Sequence, residues 1–343
     1  MKNYRFIIVL ITLVSTIGNA QDYLYKNQNM VLGSLNPSLY GFGDSSKTGI
    51  IYSTEGFNQN TKMENKFAFA HHYFDDNSFS MAMDVNTLQI NSLGYSITNA
   101  NLHYIYRTEL NQDWVFNPSI SAGYGNTRLD YNELVFEDQI NVLTGSVVGI
   151  SNDPIKINNN VNYFDVGAGV SFYNTNDLFG NQTNALFGAN IKHINRPETS
   201  INTNVNNKKD FLISVQAGME LDINKYNQSI LPYHSYMYLY NTFTKQGNKS
   251  RFDLYQQFIL GNVGFGINEH INNYEGFSVS QIGTSLNVFI DQIEIGTNYS
   301  FQVGGNKFAG ASYNTFEFYL IFDFNPFKKN RRGDYSRFFD MNN

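Results

Sequence analysis

The chain has 343 residues, 29 Asp and Glu against 23 Lys and Arg, and a formal net charge of −6 at pH 7. That acidic balance argues against a nucleic-acid binder, which needs a basic face. The chain has no cysteine, so its stability must come from closure and packing rather than disulfides.

Charged residues make up 15% of the sequence, well under the ~25% of ordinary soluble domains. Aromatics make up 16%, and nearly all are Tyr and Phe. At the N-terminus, Lys2 and Arg5 precede a mostly apolar stretch over 6–17, and Gly18-Asn19-Ala20 ends in small residues. This is the pattern of a secretory signal peptide, residues 1–20, with cleavage expected after Ala20. The apolar stretch is too short to favour a spanning helix, and no later run approaches the ~20 apolar residues a helix would need. No Cys follows the cleavage site, which excludes a lipoprotein anchor. Losing Lys2 and Arg5 removes two positive charges, leaving the mature chain at about −8.

Residues 21–46 form an N-terminal segment. In it Asn36-Pro37 initiates a turn and Gly41 ends the element. Met30, Val31, Leu32, Leu35, Leu39 and Tyr40 need cover from water. The segment is therefore expected either as a plug or as a periplasmic extension, with those apolar residues favouring the plug.

From 47 to 325 the dominant signal is period-two alternation, the mark of half-buried strands. In the last strand Phe316, Phe318, Leu320, Phe322 and Phe324 share one face, while Thr315, Glu317, Tyr319, Ile321 and Asp323 share the other. The same alternation recurs over 161–173, 211–222, 281–290 and 293–302. Fourteen strand cores are expected, over 48–57, 65–74, 77–87, 97–107, 114–124, 161–173, 184–194, 210–220, 232–243, 250–260, 262–270, 279–290, 293–303 and 314–325. Most run to roughly ten residues, longer than the ~5–6 of globular strands and right for tilted membrane strands. An even count returns both termini to one side, as outer-membrane barrels require. Tight connections at 75–76, 261 and 291–292 alternate with long ones at 125–160, 195–209 and 304–313, although 174–183 and 221–231 on the tight side are less short. A soluble sandwich would share the alternation. Strand length, loop asymmetry and aromatics near strand ends (Phe164 with Phe172, Tyr299 with Phe301) favour an all-β transmembrane antiparallel barrel.

The tail, residues 326–343, carries Lys328, Lys329, Arg331, Arg332 and Arg337 against Asp334 and Asp340. It reads as a basic periplasmic end, either solvated or contacting another subunit with Phe338 and Phe339 as anchors.

Little in the chain points to catalysis. His71 and His72 are adjacent on a strand and face opposite ways, so they cannot easily share a metal. Gly167-Ala168-Gly169 and Gly264-Phe265-Gly266 do not open a helix after a strand, and they fit relief of crowding inside a barrel better than a nucleotide loop. There is no Gly-x-Ser-x-Gly elbow. No catalytic, cofactor or metal residue is expected. "HINRPE" is the stretch best suited to a partner. There His193, Asn195, Arg196 and Pro197 sit where a strand ends on the long-loop side, and Glu137 and Asp138 in loop 125–160 join them as candidate contacts. The alternative for that stretch is a loop-starting Pro beside a solvated Arg.

Several stretches resemble one family. "LNPSLYG", carrying Leu35, Asn36, Pro37, Tyr40 and Gly41, resembles the Leu-Asn-Pro-Ala-(Tyr)-Ala-Gly element near the start of PorP/SprF-type proteins. "NIKHINRPE" resembles that family's strand ending in His-Leu-Asn-x-Pro. The order from "LPYHSYMYLY" through "FDLYQQFILGNVGFGINEH" and "IEIGTNYSF" to the last strand is similar to its C-terminal half. The chain departs at "QDYLYKNQNMVLGS", where the family is Gln- and aromatic-rich with Pro. It also keeps Gly304-Gly305 without the Ser-His that follows in the family. The resemblance implies an outer-membrane barrel of the type IX secretion system of Bacteroidota. Its partner would be a secreted protein or large adhesin with a C-terminal sorting domain, bound for export or surface anchoring, in some members for gliding motility. Other secretion-system or periplasmic subunits are further expected partners. The competing expectation is a diffusion channel or hydrophobic-ligand transporter.

Overall fold

The computed structural model describes residues 22–42, 46–56, 62–74, 78–111, 113–130, 139–141, 146–147, 159–174, 183–201, 208–223, 235–273, 277–303 and 314–324. Glu137, Asp138 and the whole basic tail lie outside the described residues.

The chain closes into one antiparallel barrel. Its long strands are β1 (Lys47–Glu55), β2 (Met63–Phe74), β3 (Phe79–Ile90), β4 (Tyr95–Tyr106), β6 (Trp114–Leu129), β7 (Asn160–Asn174), β8 (Thr183–Lys192), β9 (Leu212–Asp222), β10 (Ser235–Gln246), β11 (Lys249–Leu260), β12 (Val263–Asn273), β13 (Phe277–Ile290), β14 (Ile293–Gln302) and β15 (Thr315–Asp323). A two-residue stub, β5 (Thr108–Glu109), pairs with the start of β6. Each long strand bonds to its sequence neighbour, β4 pairs with β6, and β1 pairs with β15 to close the ring. Closure leaves no unpaired edge, which a membrane would not tolerate.

The fourteen expected cores correspond to the fourteen long strands, with shifted ends. The largest shift is in β6. It runs on to Leu129, and Gly125–Arg128 remain in register with β7, so the long connection begins at 130 rather than 125. The turn after β11 contains Asn262 as well as Gly261, whose φ of 60° suits the primed turns that match strand twist. Loop asymmetry is partial. The end with the long connections 130–159 and 193–211 also carries the two-residue turn between β10 and β11.

The alternating face is exposed, as a lipid-facing surface demands. Phe164, Phe172, Leu286, Val288, Ile290, Tyr299, Phe301, Phe316 and Phe318 all point outward. Phe172 stacks on Phe116 near one rim, with ring centroids 4.5 Å apart. Among the described residues no helix is long and apolar enough to cross a membrane; the crossing is made by strands.

The interior is not uniformly polar. On β2 the inward face carries Phe67 and Phe69, while Lys66 and Ala68 point outward. Those rings, with Tyr173, Tyr238, Tyr240, Tyr255 and Tyr319, pack against Tyr25, Met30, Val31, Leu39, Tyr40 and Phe42 of the N-terminal segment. The apolar core of this barrel therefore lies inside the lumen, around residues 22–42. Gly167, Gly169, Gly264 and Gly266 also face inward. A Cβ on Gly266 would crowd the Tyr255 hydroxyl, and one on Gly169 would crowd Asn36 and Ser119.

Candidate functional site

Residues 22–42 run through the lumen from one rim to the other. Asp22 lies beside the β8–β9 connection, and Phe42 packs edge-on against Tyr173 at the opposite end, centroids 4.8 Å apart. Three kinds of contact hold this segment.

The first reads its backbone. Glu317 on β15 accepts hydrogen bonds from Lys26 N and Asn27 N, both at 2.8 Å. Arg251 on β11 donates from Nη1 to Leu24 O at 3.1 Å and from Nη2 to Tyr25 O at 2.6 Å. Charged groups make the stronger hydrogen bonds, about twice a neutral pair. Glu317 also accepts from Asn298 Nδ2, and Asp253 orients Arg251 through its Nε at 2.6 Å. A buried carboxylate or guanidinium needs such partners to remain charged.

The second is the turn that the sequence signals. Asn36 is fully buried, and its Oδ1 accepts from Ser38 N at 3.2 Å and Ser38 Oγ at 2.8 Å, capping the 3-10 turn Pro37–Gly41. Its Nδ2 donates to Gln216 Oε1 on β9 at 3.0 Å. Asn190 donates to Leu35 O, and Asn117 donates to Gly41 O. Tyr40 donates to Asp84 Oδ2, which also pairs with His103 Nε2 at 2.7 Å. Thus Leu35, Asn36, Tyr40 and Gly41 all meet barrel-wall residues, and Pro37 is buried at the start of the turn.

The third is a buried cluster of charges at the rim. His193 Nε2 lies 2.6 Å from Asp22 Oδ2, and its Nδ1 lies 2.7 Å from Asp165 Oδ2. Carboxylates only accept, so both ring nitrogens must carry hydrogen and His193 is the imidazolium. Lys209 Nζ pairs with the other Asp22 oxygen at 2.6 Å. Burial by itself would raise the Asp22 carboxyl, but His193 and Lys209 outweigh it and hold it well below the usual range. Burial opposes the charge on His193 as well, and Asp22 and Asp165 reverse that and raise it.

Around this cluster the "HINRPE" residues take separate roles. His193 is buried and adopts φ 60°. Asn195 donates to Phe164 O at 2.6 Å and accepts from Val166 N at 3.2 Å, which ties the turn to β7. Arg196, φ 46°, points outward; it pairs with Asp210 at 3.1 Å and lies 5.5 Å over the Phe211 ring. Pro197 accepts from Lys209 N through its carbonyl. The stretch thus joins an internal anchor to an exposed cation. Asp22, Asp165, Lys209 and Arg251 were not among the residues singled out from sequence, and Glu317 was marked there only as an acid on the face opposite the Phe row. The available signal was a charged side chain on the non-lipid face of a strand, as with Glu317.

Beside residues 22–28 is a cavity of about 90 Å³. Its walls mix Asp84, Asn86, Asn99 and His103 with Phe67, Leu88 and Ile97. Among the described residues no cluster of His, Asp or Glu is arranged to hold a metal.

Among solved structures, the toluene transporter TodX of Pseudomonas putida is 8% identical, over 89% of this chain and 95% of its own, with a TM-score of 0.49. The KdgM porin is also 8% identical, over 80% of this chain and 98% of its own, with a TM-score of 0.36. No curated protein matches the sequence. The family of type IX secretion system membrane proteins PorP/SprF matches residues 17–322. That match spans the lumen segment and every strand but the last residue of β15. With its strand-borne lipid face, the chain is an outer-membrane β-barrel and belongs to the PorP/SprF family of the type IX secretion system.

Proposed function

We propose that this barrel binds rather than catalyses: it captures a protein exported by the type IX system, through that protein's C-terminal sorting domain, for export or for anchoring at the surface. The observation that carries the reading is the filled lumen. Residues 22–42 cross it and are held by charged and capped contacts, an arrangement suited to a docking platform more than to a diffusion path. The rim beside the 193–211 connection offers a partner a fixed surface, because His193 and Asn195 are tied down while Arg196 projects. Loops 130–159 and 195–209 are the proposed contact regions, and the end carrying them faces outward from the cell. Gliding motility is one setting in which such an anchor would serve.

The second reading is a channel or ligand transporter, and the cavity beside residues 22–28 favours it. One experiment separates the two. The C-terminally tagged protein is recovered from its native outer membrane in mild detergent and its companions are identified by mass spectrometry. Binding predicts a large secreted protein near one-to-one. Recovery of the barrel alone, with measurable pore conductance in planar bilayers, would replace docking by transport.

A further inference from the structure

Four consecutive residues of the lumen segment are held through backbone atoms. Arg251 takes the carbonyls of Leu24 and Tyr25, and Glu317 takes the amides of Lys26 and Asn27. Backbone contacts do not depend on what side chains the held strand carries. The side chain of Asn27 is buried, yet neither its Oδ1 nor its Nδ2 has a partner. Gln28 Oε1 and Asn29 Oδ1 are also unpaired, while Gln28 Nε2 donates to Asp253 Oδ2 at 3.1 Å and Asn29 Nδ2 to Gln257 Oε1 at 3.3 Å.

The side chains that are matched make a short pattern. Tyr23 donates to or accepts from Ser53 Oγ at 2.6 Å. Tyr25 sits edge-on to Phe67, centroids 5.7 Å apart, with its hydroxyl on Asn86. Lys26 pairs with Glu55 at 3.0 Å. The pattern is an aromatic residue, any residue, a second aromatic residue, then a cation. The cavity flanks this stretch, being lined by Tyr23, Leu24, Tyr25 and Gln28.

We propose that Arg251 and Glu317 form a general site for an extended peptide, occupied at rest by residues 24–27 and able to take a segment of the exported partner in their place. The incoming segment would carry alternating aromatics followed by Lys or Arg. This rests on the client-binding reading above and gives it a location inside the lumen. The resident segment competes from within the same chain, where its effective concentration is of millimolar order, so exchange in trans is weak until a partner supplies further contacts.

The test uses the full-length protein in nanodiscs. The probe is a photo-reactive nonapeptide with the sequence of residues 22–30. The chain has no cysteine, so Tyr25→Cys with Asn86→Cys can be bridged selectively by a short bis-maleimide, which fixes the resident segment. The expected result is probe adducts mapping to the strands around Arg251 and Glu317 in the unbridged protein, and at least about tenfold fewer after bridging. Replacing both tyrosines of the probe by Ser should cut adducts about tenfold, whereas replacing its Asn27 equivalent by Ala should leave them within about twofold. Absence of adducts, or adducts that the bridge does not change, overturns the luminal site. The native pull-down repeated with and without the bridge separates the two readings. A client recovered equally in both states removes the luminal site and leaves docking intact. Loss of the client from both states removes docking, and the probe then decides the site alone.

Discussion

Asp22 Oδ2 lies 2.6 Å from His193 Nε2, joining residues 171 apart in sequence across the rim of the barrel. This contact ties the start of the lumen segment to the turn after β8. It explains why a histidine in a rim motif is buried rather than displayed.

The pair sets a pH window. Asp22 is depressed in the folded state, so its contribution is present above the unfolded carboxylate value of ~3.9 and is lost as pH falls through its lower folded value. His193 is raised, so its contribution is full below ~6.5 and fades as pH climbs through its higher folded value. Lys209 remains on Asp22 after His193 loses its proton. Protection factors of the amides of residues 22–29, corrected for the base-catalysed intrinsic rate, should therefore fall as pH rises through the folded value of His193. His193→Gln should abolish that step; an unchanged step would assign it to another group.

Within the same motif, His193 and Arg196 should behave differently. Arg196 is 46% exposed and its pair with Asp210 is a surface one, worth about 0–1 kcal/mol. Arg196→Ala should leave barrel stability nearly unchanged while lowering client recovery in the pull-down. His193→Ala leaves Asp22 and Asp165 facing each other and should destabilise by about 2–4 kcal/mol. Urea titration of tryptophan fluorescence, with Trp114 as the single reporter, reads both.

Glu317→Gln keeps the shape of the side chain but removes its charge. The Lys26 and Asn27 amides would then share one carbonyl oxygen, at a cost of about 1–3 kcal/mol. Faster exchange at those two amides is expected, with the β14–β15 ladder still protected. Equal loss across the ladder would mean that Glu317 supports the barrel wall instead.

Asn36→Ala removes the cap of the Pro37–Gly41 turn and the link to Gln216. Loss of such a cap costs about 1 kcal/mol, and the orphaned Gln216 adds to it. Ion conductance in planar bilayers should rise as the segment loosens. Conductance equal to that of the parent protein would show that the remaining anchors suffice.

The lipid face can be tested at Phe318, which points outward near the middle of β15. Phe318→Arg should cost about 2–4 kcal/mol and reduce the heat-modifiable folded band on gels. The inward neighbour Tyr319 donates to Glu294 at 2.9 Å and should tolerate Phe with a smaller loss.

The sequence alone carried the strand number, the chain order and the closed antiparallel class. Those depend on period-two alternation and strand length, which are local. It also marked "LNPSLYG" and "HINRPE" as special, because Asn-Pro turns and strand-ending prolines have local signatures. It did not show which face of β2 meets lipid. Alternation fixes two faces without naming them, and Phe67 and Phe69 turn inward because Tyr25 and Tyr40 are there to receive them. Nor did it join Asp22 to Lys209, or Glu317 to the backbone of Lys26. Those contacts form only when a closed wall brings strands distant in sequence around one threaded segment, and a buried charge persists there because its partners arrive from both.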